Sequence, residues 1–468
     1  MTIAKMLAAA AAILLARPAS AQLTNNSAKN ARGVYLYSLN VAVDKSPADA
    51  PQVIQALSEP GVDGITLVEN WNTLEPSRGV YEWTLALPGQ SRFDKWVSAA
   101  MSVGRHINIA IRAGEDVPCW LFREESNACG PTYTDSYAGA RRWRFEAAAH
   151  QGLASPTCEV VDIAAPWDPI FLAEWDSLLA AVAQHLRDIG AYDAVTLVRL
   201  TGINRTTDEF RLPEEILSSP CSDSNGNVHV DTNSIATWLD AGYRPSLLIQ
   251  AWDSITGSFL RSFPDKTFNV AILPVGTGQG QYPFPEIDDN GCVYTAIVPA
   301  STWSVPSSIP GTTCTNDVHL HEANTQLNAV LFDLLQIAAD KFPRHLVVEF
   351  ENIDTSQPAN STVLDAAAQF GNMSAFMTNN YFAAVPGAGA GAACSGGFSG
   401  PNACADADAY LALLNIGIYP CQTNPAAMVC EAQPFQSTFI EVFAPDTLTF
   451  PDAILKAHIE LHRSPNAH

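Results

Sequence analysis

Four glutamates sit in or just after apolar, β-like runs, and carboxyl groups in such places can do chemistry in pairs. Glu209 follows AVTLVRLTG at 194–202, Glu349 and Glu351 lie within HLVVEFENID at 345–354, and Glu441 lies within STFIEVFAPD at 437–446. Of two facing carboxyls, one can deliver a proton while the other attacks carbon or activates water. Glu349 and Glu351 share parity with Val347, so an extended chain turns both to one face. Each glutamate also has a plain structural alternative, a charge paired with an arginine. Arg112 and Arg199 are partners of this kind for the strand glutamates, and Arg205 and Arg211 flank Glu209.

Other chemistries find less support. The histidines are scattered, and the close pair is His319-x-His321, followed by Glu322. Extended spacing would put both rings on one face, but no further ligands surround them, so no metal site is expected. GTGQG at 276–280 lacks the lysine and the following helix of a phosphate cradle. No cofactor is expected.

The elements that must position the glutamates alternate along the chain. Strand-like runs occur at 34–43, 65–68, 106–114, 194–202, 267–274, 345–354, 371–382 and 437–446. Helical patterns fall at 51–57, 93–103, 168–189, 234–263, 324–339 and 451–461. The clearest has Asp168 as cap, Pro169 in its first turn, and Phe171, Trp175, Leu178, Val182, Leu186 and Ile189 at helical spacing. Such alternation implies a parallel sheet, and eight units imply an α/β fold, a (β/α)8 TIM barrel with long loops. A second register makes CVYTAIV (292–298) strand six and HLVVEFENID strand seven, with 371–382 an insertion; the first count is preferred. A run of about fifty residues after strand three reads as a functional loop or inserted subdomain. It carries the basic-aromatic patch Arg141-Arg142-Trp143-Arg144.

The stretch GVDGITLVENWNTLEPSRGVYEW at 61–83 is the most specific in the chain. It resembles the second strand of TIM-barrel glycoside hydrolases of the large retaining clan, the β-galactosidase and endoglucanase type. There the pattern runs glycine, apolar strand, Trp, then Glu-Pro, then G-x-Y-x-W, with a helix opening near an acidic residue; Phe93-Asp94 matches that opening. The resemblance implies a glycosidase that cleaves β-glycosidic bonds with two carboxylates, acid/base after strand four and nucleophile at the end of strand seven. Glu209 takes the first role here, although the clan's Asn-Glu pair is split between Asn204 and Glu209. Val347-Val348-Glu349-Phe350 looks like the clan's nucleophile run, yet in the preferred register it is strand six; Glu351 and Glu441 are the other candidates. Trp71, Trp120 and Trp252 are expected to stack on sugar rings, with Asn204 and Arg112 as further substrate-binding residues. The alternative is a catalytically inactive carbohydrate-binding TIM barrel.

Composition narrows the setting. Residues 1–21 read as a signal peptide, with Lys5, an apolar core from Met6 to Leu15, and Ala19-Ser20-Ala21 as cleavage site. Residues 22–31 form an N-terminal linker and 32–468 the barrel domain, secreted or periplasmic. A formal charge of −23 argues against nucleic acid as a partner, and no run suits a membrane span. An oligo- or polysaccharide substrate is expected. Ten cysteines in an exported chain imply disulfides. Short-loop pairing suggests Cys119–Cys129, Cys292–Cys314, Cys394–Cys404 and Cys421–Cys430, leaving Cys158 with Cys221.

Overall fold

Parallel strands covered by helices outside and by packed side chains inside must be apolar on both faces. GITLVEN and HINIAIR meet that requirement, and their residues are almost all buried. In the computed structural model, eight parallel strands pair in chain order and close on themselves. They are β1 (Gly33–Tyr37), β2 (Gly64–Asn70), β3 (His106–Arg112), β4 (Val195–Arg199), β5 (Thr267–Ile272), β6 (Leu346–Ile353), β7 (Met373–Thr378) and β8 (Ser437–Val442). Closure comes from β1 pairing with β8, Gly33 opposite Phe439 and Leu36 opposite Val442. The fold is a (β/α)8 barrel.

The structure describes residues 32–37, 46–84, 92–124, 128–130, 133–148, 158–205, 209–213, 221–222, 228–229, 234–272, 284–285, 287–293, 320–343, 345–353, 373–378, 410–411, 414–415, 418 and 437–463. The signal peptide and the linker lie outside them. So do all but the first two residues of CVYTAIV, whose Val293 forms an isolated bridge with Ile287. HLVVEFENID is therefore the sixth strand and 373–378 the seventh, as the preferred register has it.

The described helices are α1 (Pro51–Leu57), α2 (Phe93–Ser102), α3 (Pro169–Asp188), α4 (Pro245–Ser262), α5 (Leu320–Lys341) and α6 (Pro451–Arg463), with shorter turns at Trp71–Leu74, Ser234–Asp240 and Ala444–Thr449. In α3 the Asp168 side chain accepts from the amide of Ile170 at 2.8 Å, satisfying one of the donors a helix start leaves open. Its buried stripe is Phe171, Trp175, Leu178, Leu179, Val182, Ala183 and Leu186, each large member contributing about 1.5–3 kcal/mol by leaving water. Ile189 lies past the end of the stripe and is exposed. The helical pattern at 234–263 resolves into two helices, with Gly242 (φ 73°) and Pro245 turning the chain between them.

The fifty-residue run after β3 is not a structureless loop. Arg142–Ala148 pairs antiparallel with Cys158–Ala164. The basic-aromatic patch is the start of this hairpin: Trp143 and Phe145 are buried, while Arg144 faces outward and pairs with Asp162. Alternation over so few residues reads as a patch until the partner strand is known. The Cys119–Cys129 disulfide is formed, and Cys292 is disulfide-bonded as well. The side chains of the other seven cysteines lie outside the described residues.

Inside the barrel three layers stack. Tyr35, Leu197, Val347 and Phe439 fill the N-terminal end, and Tyr37, Val68 and Ala110, with Phe443 against them, fill the C-terminal end. Between them lies a polar layer, and it holds Glu349 and Glu441.

Candidate active site at the C-terminal mouth of the barrel

Arg199, the last residue of β4, reaches into the middle layer and meets two carboxylates. Its Nη2 lies 2.5 Å from Glu349 Oε2 on β6 and 2.8 Å from Glu441 Oε2 on β8, and all three side chains are fully buried. The inward parity of each strand delivers them there. Asn269 of β5 donates its side-chain amide to the same Glu349 oxygen, and Thr66 of β2 donates its hydroxyl to Glu441 Oε1. Asn108 and Thr196 extend the network to Tyr35. One guanidinium thus serves two carboxylates, leaving this triad formally negative when all three groups are ionised. The ring of Tyr37 lies above it, 5.7 Å from the Arg199 guanidinium carbon.

Glu209 stands at the mouth, after β4. Phe210 donates its amide to Ala271 O at the end of β5 and Arg211 to Ile203 O, so the backbone around Glu209 lies along the β5 exit. The side chain is nearly buried. Loops after β3 and β4 touch here: a Cβ on Gly114 (φ 40°) would stand 2.0 Å from Arg205 O, so that position admits only glycine. Glu351 follows Glu349 by two residues on β6, and its side chain lies outside the described residues. β7, MSAFMT, carries no carboxylate, so the strand that holds the clan's nucleophile cannot supply one here.

The expected sugar-binding residues are placed differently from one another. Arg112 ends β3 at the mouth and donates to Asn70 Oδ1 through Nε and Nη2, at 2.9 and 2.6 Å. Asn204 is buried, and its Oδ1 accepts the amides of Ala113 and Gly202, which makes it a brace between the β3 and β4 loops. Trp71 and Trp120 follow strands β2 and β3 but have no open face. They pack edge to face at 6.1 Å, with Phe171 and Trp175 against Trp71. Their indole N–H groups serve Glu75: Trp71 donates to its Oε2 at 2.9 Å and Trp120 to its carbonyl at 2.8 Å, while Gly79 donates to Oε1. The Trp…Glu-Pro…Gly signature is therefore a brace that fixes the β2 exit, and the following Tyr81, Trp83 and His185 stack in sequence. Trp252, expected at a strand end or loop, sits inside α4, fully buried against Phe210.

Two acids at the mouth carry no sequence signal of their own. Glu69 is one residue from the β2 exit with parity opposite to Thr66 and Val68, so it faces the helical layer, and burial pushes its carboxyl well above the ordinary range against Arg112 and Arg92. Asp116 follows β3, and burial raises its pKa from 3.8 to about 6, opposed by Arg112. Arg112 Nε approaches Asp116 Oδ2 to 3.1 Å as a charge contact; that oxygen accepts no hydrogen bond. An acid whose pKa rises on folding binds its proton more tightly in the folded state, so stability falls as pH rises from about 4 to about 6 and is level above that. The stability difference between Asp116→Asn and the unchanged protein should therefore shift in favour of the asparagine by up to about 3 kcal/mol across that window. Urea melts at pH 4, 5, 6 and 7 check it, and a difference that does not move with pH removes the burial account.

Thr66, Asn108 and Asn269, the polar partners of the interior network, had a readable signal: they are the polar residues at inward parity in otherwise apolar strands. His458 and His462, four apart on α6, form a close pair that the spacing of His319 and His321 draws attention away from. They meet Asp63 at the opposite, N-terminal end of the barrel. His319 and the side chain of His321 lie outside the described residues.

No protein-family model matches the sequence, and no curated protein matches it. Among solved structures the chain is similar to a psychrophilic glycoside hydrolase family 10 endo-β-1,4-xylanase, at 9% identity over 88% of this chain and 85% of that one, with a TM-score of 0.38. It is similar to the intracellular xylanase of Thermoanaerobacterium saccharolyticum at 11% identity, over 89% and 87%, with a TM-score of 0.40. A glycoside hydrolase family 10 structure from Paenibacillus barcinonensis aligns at 11% identity over 77% and 72%, with a TM-score of 0.35.

Proposed function

We propose that the chain is an exported glycoside hydrolase that cleaves β-glycosidic bonds at the C-terminal mouth with retention of configuration. The observation that supports this is a set of carboxyls on one axis of the barrel, with Glu209 at the mouth and Glu349 and Glu441, both paired with Arg199, in the layer below it. Glycoside cleavage passes through an oxocarbenium-like transition state and needs two carboxyl groups flanking the bond, an acid/base and a nucleophile. The signature at 61–83 supports the same reading from the sequence side.

In the proposed reaction Glu209 donates its proton to the leaving oxygen while a Glu349 oxygen, uncovered by movement of Tyr37 and Phe443 above its layer, attacks the anomeric carbon, giving a glycosyl ester. Water then attacks that carbon, Glu209 takes the proton from it, and Glu349 is released as carboxylate. Arg199 and Asn269 donate to Glu349 Oε2 and orient it, which a nucleophile needs. Glu441 balances the guanidinium, so Glu349 is not fully neutralised by it.

A second reading, a carbohydrate-binding barrel without turnover, is favoured by the burial of the same network, in which Arg199, Thr66 and Asn269 already donate to oxygens of both glutamates. Screening the exported protein against aryl β-glycosides separates the two. Cleavage of one substrate with retained anomer, by a chain whose N-terminus is Gln22, is the expected result. Binding of an oligosaccharide with no cleavage of any glycoside supports the binder.

A further inference from the structure

At the N-terminal end of the barrel, away from the mouth, α6 sets two histidines against one aspartate. His458 and His462 lie one turn apart, so their rings share a face of the helix, with centroids 4.4 Å apart. His458 Nδ1 is 2.8 Å from Asp63 Oδ2, and His462 Nε2 is 3.1 Å from Asp63 Oδ1. One donor atom from each residue lies within 4.8 Å of the others.

Asp63 is held rigidly. It enters β2, its amide donates to Val34 O at 2.7 Å, and its carbonyl accepts from His106. Its Oδ2 also accepts the amide of Val34 at 2.8 Å. Gly33 stands directly against the carboxylate: a Cβ there would meet Asp63 Oδ2 at 1.9 Å and His462 Nε2 at 2.9 Å. The turn before Asp63 rests on α6, where a Cβ on Gly61 would meet the Leu455 backbone at 2.8 Å. The strand side of the cluster is thus fixed, and only the two imidazoles need turn to adjust it.

We propose that Asp63, His458 and His462 form a zinc site that ties the last helix to the start of β2. Two imidazole nitrogens and one carboxylate oxygen are a donor set that zinc accepts, and a tetrahedral ion needs one ligand more. His462 is 40% exposed, so water can supply that ligand from the solvent side. The carboxylate hydrogen-bonded to the Val34 amide is oriented in the way outer partners orient metal ligands. Arg32, whose Nη1 donates to Leu461 O at 3.0 Å, is the nearby cation that opposes the ion. The formal charge of −23 of the whole chain favours cations at its surface and offsets that opposition. Binding in the folded state alone would raise stability by linkage, and it would join residues 395 apart in sequence.

The test uses the full exported protein, stripped with EDTA and desalted, beside His458→Gln/His462→Gln and the single variant His462→Gln. Elemental analysis after adding zinc should find one more ion per chain in the unchanged protein than in the double variant. Cobalt(II) in place of zinc should give the visible absorption of a tetrahedral site, absent from the double variant. His462→Gln should weaken binding by more than about 100-fold, beyond the loss seen when only an outer partner is removed. Zinc should raise the melting temperature of the unchanged protein by a few degrees and leave the double variant unmoved. Equal zinc in both proteins, or a melting temperature that zinc does not change, overturns the proposal and leaves Asp63 as a hydrogen-bond acceptor only. His462 lies on the surface of α6, so the single variant keeps the test open if the double variant fails to fold.

Discussion

Arg199→Met should cost about 3–5 kcal/mol of folding stability, a large share of what a domain has. The guanidinium is fully buried between Glu349 and Glu441, and removing it leaves two carboxylates facing each other without a cation between them. Leaving a buried charge uncompensated is far more costly than never having buried it. Combining Arg199→Met with Glu349→Leu and Glu441→Leu should therefore recover much of the loss, since well-packed apolar groups often equal a buried ion network. Urea unfolding of the single and triple variants checks both halves. A single variant within about 1 kcal/mol of the unchanged protein would mean that the triad is not closed as described. Recovered stability together with loss of a glycoside cleavage that the unchanged protein performs would show that the network is kept for chemistry rather than for the fold.

Glu209→Gln and Glu349→Gln should each lower turnover of an activated β-glycoside by roughly 10²–10⁴-fold, the range that a positioned acid or base contributes. Sugar binding should survive, because neither change removes the residues that shape the mouth. For Glu349→Ala, azide should restore cleavage by attacking the anomeric carbon in the space left behind, a result that a merely structural carboxylate would not give. Full activity in Glu349→Gln would move the nucleophile role to Glu441 or Glu351. If no variant differs from the unchanged protein, and that protein binds an oligosaccharide without cleaving any glycoside, the binder reading holds.

The barrel was legible because its signals are local. Each strand is an apolar run, α3 has a cap, a proline and a stripe, and the alternation of the two leaves few topologies. Even the register could be counted, since HLVVEFENID and MSAFMT each carry strand composition of their own. The site was less legible because its meaning is non-local. Nothing in the sequence near Arg199 tells that residues 150 and 242 positions later supply its partners. The tryptophans failed as sugar platforms for a related reason: a Trp after a strand looks the same whether it lines a mouth or, like Trp71, braces Glu75 beneath α3. The split of Asn204 from Glu209 also has a physical sense, since Asn204 is occupied in joining two loops and Glu209 lies along the β5 exit.

The pairing of β1 with β8 has a consequence for how the chain folds. One edge of β1 pairs with residues 64–66, close by in sequence, but its other edge pairs with residues 439–442, about four hundred positions away. Until β8 is in place the sheet is an open ribbon, with the second edge of β1 unpaired by a strand. Contacts so distant in sequence are entropically slow to form, and an open edge invites pairing with other chains. β8 therefore acts as the clasp of the fold, and the barrel is closed only once it pairs with β1.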